Sequence, residues 1–244
     1  YPAATYVLWT KMVAFELIAQ ALSQAVESIP ASSGADLPGF MSMGVQYQTG
    51  KKFIVSNNEG IGWGGTYRHD GANALQQPSG SSSRNTSIEV LEHTSNIFHE
   101  RLELITDSAG PGLHRGGLGV RRNVAFVADS EVISMKKKTK TSAWGLNGGG
   151  EPSRNGMIVW PGTEKEKRVG LKRVFMEKGE SFSNFTAGGG GWGHPYERTV
   201  EKILSDLKNE YISKDSALND YGVILAGDGS WSETPERLAH RSKN

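Results

Sequence analysis

Cysteine is absent from the 244 residues. That excludes disulfide frameworks, thiolate metal sites and cysteine nucleophiles, and makes a reducing, cytoplasmic compartment the simplest expectation. An excess of one charge is missing too. With 27 basic and 26 acidic residues the formal net charge is +1, so no summed field favours nucleic acid or an anionic membrane, and neither is expected as a partner. Nor is there a long hydrophobic run. The most apolar stretch, Val7 to Val26, is interrupted by Lys11, Glu16, Gln20 and Gln24, well short of the roughly 20 apolar residues that a membrane span requires. The Gly-Lys-Ser/Thr tripeptide of a Walker loop and the Gly-x-Ser-x-Gly of a serine-hydrolase elbow are both missing, so nucleotide held by a phosphate loop and covalent serine catalysis find no support within the chain. The first residue is Tyr rather than Met, which fits a processed, split or partial product.

What the chain has in excess is glycine, 31 residues, where average usage of about 7% predicts roughly 17. Leu8, Met12, Phe15, Ala19, Leu22 and Val26 recur at spacings of three and four, which predicts a helix with one apolar stripe. Pro30 and Gly34 end it. Residues 32–83 read as loop-rich, with a strand at Lys52 to Ser56 and a mobile turn at Gly80 to Ser83. From Ser87 onward short alternating runs, among them Leu102 with Leu104, Val124 with Phe126, Val169 to Phe175 and Ser181 to Phe185, predict antiparallel strands separated by glycine turns. The lysines of Lys136 to Lys140 read as an exposed edge strand protected by charge. After Pro195 the stripe Val200, Ile203, Leu204, Leu207 and Tyr211 predicts a helix with Glu201, Lys202, Asp206 and Lys208 on its other faces. A shorter helix should start at Ser213 as N-cap and stop at Gly222 in the left-handed region. The expected fold is α+β: a β-rich, glycine-turned middle with helices near both ends, spanning 1–244 without a clear internal boundary.

Two stretches match G-x-G-x-x-G, Gly60 to Gly65 and Gly188 to Gly193, as chance allows in so glycine-rich a chain. The first precedes no helix and is rejected as a nucleotide site. The second does precede one, yet lacks the βαβ context. Its plainer reading is a tight turn in which glycine permits positive φ under Trp192. The histidines are scattered, so no metal site is expected from this chain alone. A polar group of His69, Asp70, Gly71, Asn85, Ser87, Glu89 and Glu92 concentrates acids, an amide and an imidazole about a turn. It could supply acid, base or anchor if it lines a cleft, or merely close Asx turns in solvent.

The segment Asp107-Ser-Ala-Gly-Pro-Gly-Leu-His-Arg-Gly-Gly-Leu-Gly-Val-Arg-Arg122 closely resembles the D-S-G-G-A-G-x-x-R-G-G-x-G segment of the hydantoinase B / 5-oxoprolinase family. Further landmarks follow in family order: Tyr1-Pro-Ala-Ala, Asn58 to Gly65, His69-Asp-Gly71, Arg84 to Glu89, Gly188 to Arg198 and Asp220-Tyr-Gly-Val223. The resemblance implies the C-terminal half of a B-type subunit, inactive alone. It further implies a stable heteromer with an A-type, actin-like ATP-binding subunit and with a chain carrying the B-type N-terminal half, which holds the family's metal positions. ATP and Mg would be bound mainly by the partner chain. The implied activity is ATP-dependent hydrolysis of a cyclic amide (hydantoin, 5-oxoproline or lactam) through a phosphorylated small-molecule substrate. The alternatives are ATP-dependent ketone carboxylation of the acetophenone or acetone type, or a scaffolding module without a reacting group. Carried onto this sequence, Asp70, Asn85, Glu89 and Glu92 become candidate catalytic residues, and His69, Asp107, Ser108 and Arg115 candidate substrate-binding residues. Arg115 could present its guanidinium to a carboxylate or phosphate, or pair with a buried acid such as Asp107. Ala109 and Pro111 depart from the commonest pattern and restrict the turn.

Overall fold

The computed structural model describes residues 7–23, 25–34, 38–76, 84–136 and 138–243, with side chains from Ala14 onward. Alternation decides the architecture. In β4 (Val120–Phe126) and β5 (Ser130–Met135) every second residue is buried, as a strand with one face on a core demands. β5 joins β1 (Gly39–Val45), β2 (Lys52–Asn57) and β8 (Lys172–Met176) in an antiparallel sheet of order β2-β1-β5-β8. β4 joins β3 (Ile97–Leu104), β6 (Gly156–Val159), β7 (Lys167–Val169) and β9 (Ser181–Phe185) in order β3-β4-β9-β6-β7. The inner faces share one apolar cluster, with Phe40, Val132 and Met176 meeting Val124, Phe126, Met157 and Phe182. The Phe40 and Phe182 rings pack edge to face at 4.9 Å. A second cluster lies beneath α3 (Val200–Lys208), α4 (Lys214–Asn219) and the hairpin of β10 (Val223–Leu225) with β11 (Trp231–Glu233). The α+β expectation holds.

Local signals place the C-terminal helices. Thr199 caps α3 and Ser213 caps α4, each accepting from a backbone N–H of the first turn. Gly222 sits at φ +66° and its N–H reaches the Leu218 carbonyl. Thr234 caps α5 (Pro235–Arg241) in the same way. Other expectations change. The stripe of α1 (Val7–Leu22) does not face a core: Phe15, Leu22 and, beyond the helix, Val26 are exposed. Among its described side chains only Glu16 is buried, accepting from Ser32 and Ser33 and pairing with Lys138 at 3.2 Å. The described residues of the lysine run form no edge strand: they follow the end of β5, which itself lies between β1 and β8, and Lys136 is buried with its ammonium donating to the Pro38 carbonyl. Asp206 turns inward. The turn at Gly80 to Ser83 and the Tyr1 landmark lie outside the described residues.

Most of the glycines form neither sheet nor tight turn. The segments 60–65, 108–119, 145–150 and 186–193 run side by side, exchanging backbone hydrogen bonds such as Gly189 N–H to Gly117 O, Gly117 N–H to Trp63 O, Gly65 N–H to Gly190 O and Gly191 N–H to Gly150 O. Of Gly188 to Gly193 only Gly193 has positive φ, so left-handed freedom is not what the run requires. Close approach is: a Cβ on Gly189 would lie 2.0 Å from the Trp63 carbonyl oxygen, and one on Gly116 1.8 Å from that of Gly189. A backbone layer packed this tightly admits no side chain.

Candidate functional site

At one edge of the glycine layer a charged cluster replaces apolar packing. Arg198, 1% exposed, donates to both oxygens of Asp70, from Nη1 to Oδ1 at 2.7 Å and from Nη2 to Oδ2 at 2.8 Å. Its Nε and Nη2 also reach Asp206 Oδ2 at 3.1 and 2.7 Å. Asp206 in turn accepts from Arg115 Nε at 3.2 Å. The Arg115 guanidinium lies over the Tyr211 ring, and its backbone N–H returns to Asp70 Oδ1 at 3.0 Å. The chain Asp70–Arg198–Asp206–Arg115 therefore ties the His69-Asp-Gly71 turn, the signature segment and α3 into one body. Removing Arg198, the cation that Asp70 and Asp206 share, would leave buried carboxylate charge short of a partner and cost about 3–5 kcal/mol.

The cluster's outer side is open. Asp70 keeps 28% of its side chain exposed, and His69 and Lys202 beside it are exposed. Burial works against the Asp70 charge, but the hydrogen bonds and charge of Arg198, helped by Arg115 and Lys202, outweigh it and hold the carboxyl below its ordinary range. His114 lies with Nδ1 3.8 Å from Asp70 Oδ1, buried and without a hydrogen-bond partner there among the described residues. Burial, then the charges of Lys202 and Arg198, lower its pKa against the pull of Asp70. Near neutral pH the edge thus presents an ionised carboxylate beside a neutral imidazole, a pair able to accept and hand on a proton.

The candidate residues separate. His69, Asp70 and Arg115 converge here. Arg115 finds a buried acid, but it is Asp206 rather than Asp107. Asp107, at φ +59°, accepts from the Ser213 N–H at 2.7 Å and fastens the signature to the start of α4. Ser108 is buried, donating to the Ile105 carbonyl and accepting from the Gly119 N–H. Asn85 and Glu89 are exposed at the start of α2 (Ile88–Thr94), capped by Ser87. Glu92, on that helix, accepts from the His99 N–H at 2.7 Å. No hydrogen bond or ion pair among the described residues ties these three to Asp70. His114, Arg198 and Asp206 were not singled out from the sequence. Asp206 carried a usable signal, since it stands three residues after the buried Ile203, itself three after the buried Val200.

The glycine stretches do not fit a nucleotide. The N–H groups of residues 189 to 193 all donate to backbone carbonyls, as do those of Gly62, Trp63 and Gly65, leaving no fan of free amides for phosphate. The second glycine stretch is thereby excluded as a phosphate loop. Among the described residues no group of three or more His, Asp or Glu is placed to hold a metal ion, and no helix is long and apolar enough to cross a membrane.

Residues 1–195 match the family model described as hydantoinase B/oxoprolinase. The chain is 32% identical over 167 residues to the B-type chain of a putative D-/L-hydantoinase from Pseudomonas sp. (strain NS671), a match covering 67% of this chain and 28% of that one. It is similar to the crystal structure of the ATP-dependent caprolactamase from Pseudomonas jessenii, with a TM-score of 0.76 and 25% identity over 91% of this chain and 40% of the other. It shares its fold with a nucleotide-free acetone carboxylase, with a TM-score of 0.71 and 18% identity over 93% of this chain and 34% of that one. This chain therefore corresponds to well under half of the relatives it matches.

Proposed function

Since the chain belongs to the hydantoinase B/oxoprolinase family, we propose that it contributes one part of a multisubunit ATP-dependent enzyme that opens a cyclic amide of the hydantoin, 5-oxoproline or lactam type. It needs its partners for turnover. ATP and Mg bind mainly on an A-type, actin-like subunit, which agrees with the engaged backbone amides of residues 189 to 193. The part of the B-type architecture outside this chain supplies any metal, and the assembled enzyme works in the cytoplasm. The observation that carries this reading is the similarity to the caprolactamase structure over 91% of the chain.

Within that enzyme the Asp70 edge is where this chain meets substrate. Asp70 and His114 handle protons, His69 and Lys202 line the approach, and Arg115 with Arg198 positions Asp70. Asn85, Glu89 and Glu92 remain candidate catalytic groups, reached if a partner closes over α2. Asp107 and Ser108 hold the signature in place from which Arg115 projects.

The shared fold with acetone carboxylase supports a second reading, ketone carboxylation, because phosphorylation of an amide or enol oxygen is a first step common to both outcomes. A complex reconstituted with its A-type partner separates them. Ring opening coupled to ADP release supports the amidase, whereas incorporation of labelled bicarbonate into a ketone overturns it. Exchange of Asp70 or Glu89 for Ala distinguishes either enzyme from a mere scaffold: turnover should fall while assembly persists, because Arg198 keeps Asp206 as a partner after Asp70 is removed.

A further inference from the structure

On the outer face of the five-stranded sheet, away from the Asp70 cluster, a concavity of about 690 Å³ is bordered by Arg121, Arg154 and Arg168, and none of its lining residues is acidic. Its floor is set by strand register. Asn123 pairs with Ser183, Ser183 with Ile158 and Ile158 with Arg168, so amide, hydroxyl, aliphatic and guanidinium groups form one row across four strands. Phe185 stands in the neighbouring row, opposite Arg121. The Arg168 guanidinium lies 4.7 Å from the Phe185 ring centroid, and its Nη2 donates to the Asn155 carbonyl at 3.1 Å. Stacking fixes its plane and leaves its remaining N–H groups pointing elsewhere. This stack depends on Gly156, where a Cβ would fall 2.5 Å from the Phe185 ring and 3.0 Å from Arg168 Nε. Arg154 uses Nε on the Ser142 hydroxyl at 3.2 Å. Arg121 has Glu103 as its ion-pair partner at 3.6 Å, too long for a hydrogen bond.

Two guanidinium groups on strands and a third, that of Arg154, from the segment before β6, with apolar Ile105, Ile158 and Pro161 among them, match a ligand that combines an apolar body with an oxyanion. We propose that this concavity binds a small organic oxyanion, either a carboxylate or a phosphate ester, through Arg121, Arg154 and Arg168. Such binding is independent of the reaction performed at the Asp70 edge.

Isothermal titration of the intact chain with inorganic phosphate and, separately, with glutarate at constant ionic strength tests it. Saturable binding of at least one probe is expected, weakened about tenfold by Arg168→Met, the equivalent of about 1.4 kcal/mol. Arg173→Met, on the other sheet and paired with Glu131, should leave it unchanged. Stronger binding of phosphate assigns the ester and stronger binding of glutarate the carboxylate. Should Arg168→Met misfold by circular dichroism, Arg154→Met gives the same reading from a residue that is itself exposed. No saturable binding of either probe overturns the proposal. So does binding that survives substitution of all three arginines, which would mark an adventitious ion only.

Discussion

Replacing Lys136 by Met should stabilise the fold, and the gain should vanish as pH rises. Lys136 is buried, and desolvation pushes its ammonium from 10.5 down to about 7, with Glu59 pulling weakly the other way. Glu59 itself is engaged by Arg122, from Nε at 2.6 Å and Nη2 at 3.2 Å. At about 1.36 kcal/mol per pH unit, the fall corresponds to at most ~5 kcal/mol of destabilisation in the protonated state. The sign follows from proton counts: between the folded and unfolded values the unfolded chain binds the extra proton, so wild-type stability rises with pH. Few other groups interfere. There is no cysteine, and burial lowers the pKa of His99, His114 and His194. The buried Tyr221 phenol is raised, so it begins to cost stability only above about pH 10, where an unfolded Tyr ionises. Urea unfolding from about pH 7.5 to about pH 9.5 should show wild-type stability climbing by ~2–3 kcal/mol, a midpoint shift of about 1 M. Lys136→Met should be flat over that range. At neutral pH it should be the more stable protein by ~2 kcal/mol, after subtracting the hydrogen bond lost to the Pro38 carbonyl. A wild-type curve as flat as the variant's would refute the reasoning.

Arg198→Met should cost about 3–5 kcal/mol in urea unfolding, because Asp70 loses its side-chain ion pair and Asp206 keeps only Arg115; a loss below about 1 kcal/mol would show the cluster to be dispensable. Gly189→Ala should abolish soluble expression or lower the melting temperature by tens of degrees, since the Trp63 backbone 2.0 Å away cannot yield, whereas Gly162→Ala, at positive φ with nothing within 4 Å, should cost only about 1 kcal/mol by the same measurement. His114→Gln in the reconstituted enzyme should lower kcat and remove the acid limb of the pH–rate profile. That limb should lie below the ordinary histidine range in the wild type, as burial and the Lys202 and Arg198 charges dictate, and an unchanged profile would assign the proton transfer to another group.

How legible all this was depended on the range of the interactions. Ser213 and Gly222 mark the limits of α4 because caps act over three or four residues, and β9 was legible as a strand-like run ending before the glycine cluster. The inward turn of Asp206 was missed because its acid looked solvent-facing until Arg115 and Arg198 came from distant segments to meet it. α1 misled for the converse reason. Its apolar period is real, but the surface that would cover Phe15 and Leu22 is not part of the described fold, and a buried Glu16 anchors it instead. Lys136 shows the same limit, since a lysine run carries no sign of the strand on either side of β5. The polar candidates divided likewise: the turn of His69 and Asp70 closes onto the signature, while Asn85, ahead of α2, and Glu89, in its first turn, are exposed, which is the solvated alternative that the sequence also offered.

Purifying the chain from its native source under mild conditions, identifying by mass spectrometry everything that co-elutes, and assaying the eluate for ADP release with a cyclic amide is the decisive experiment for the claim that this chain works as part of a larger ATP-dependent enzyme. Co-elution of an actin-like ATP-binding chain, with ADP release that depends on the amide, is the predicted result. A folded chain that elutes alone, in a fraction where ATP and cyclic amide persist unchanged, would overturn it.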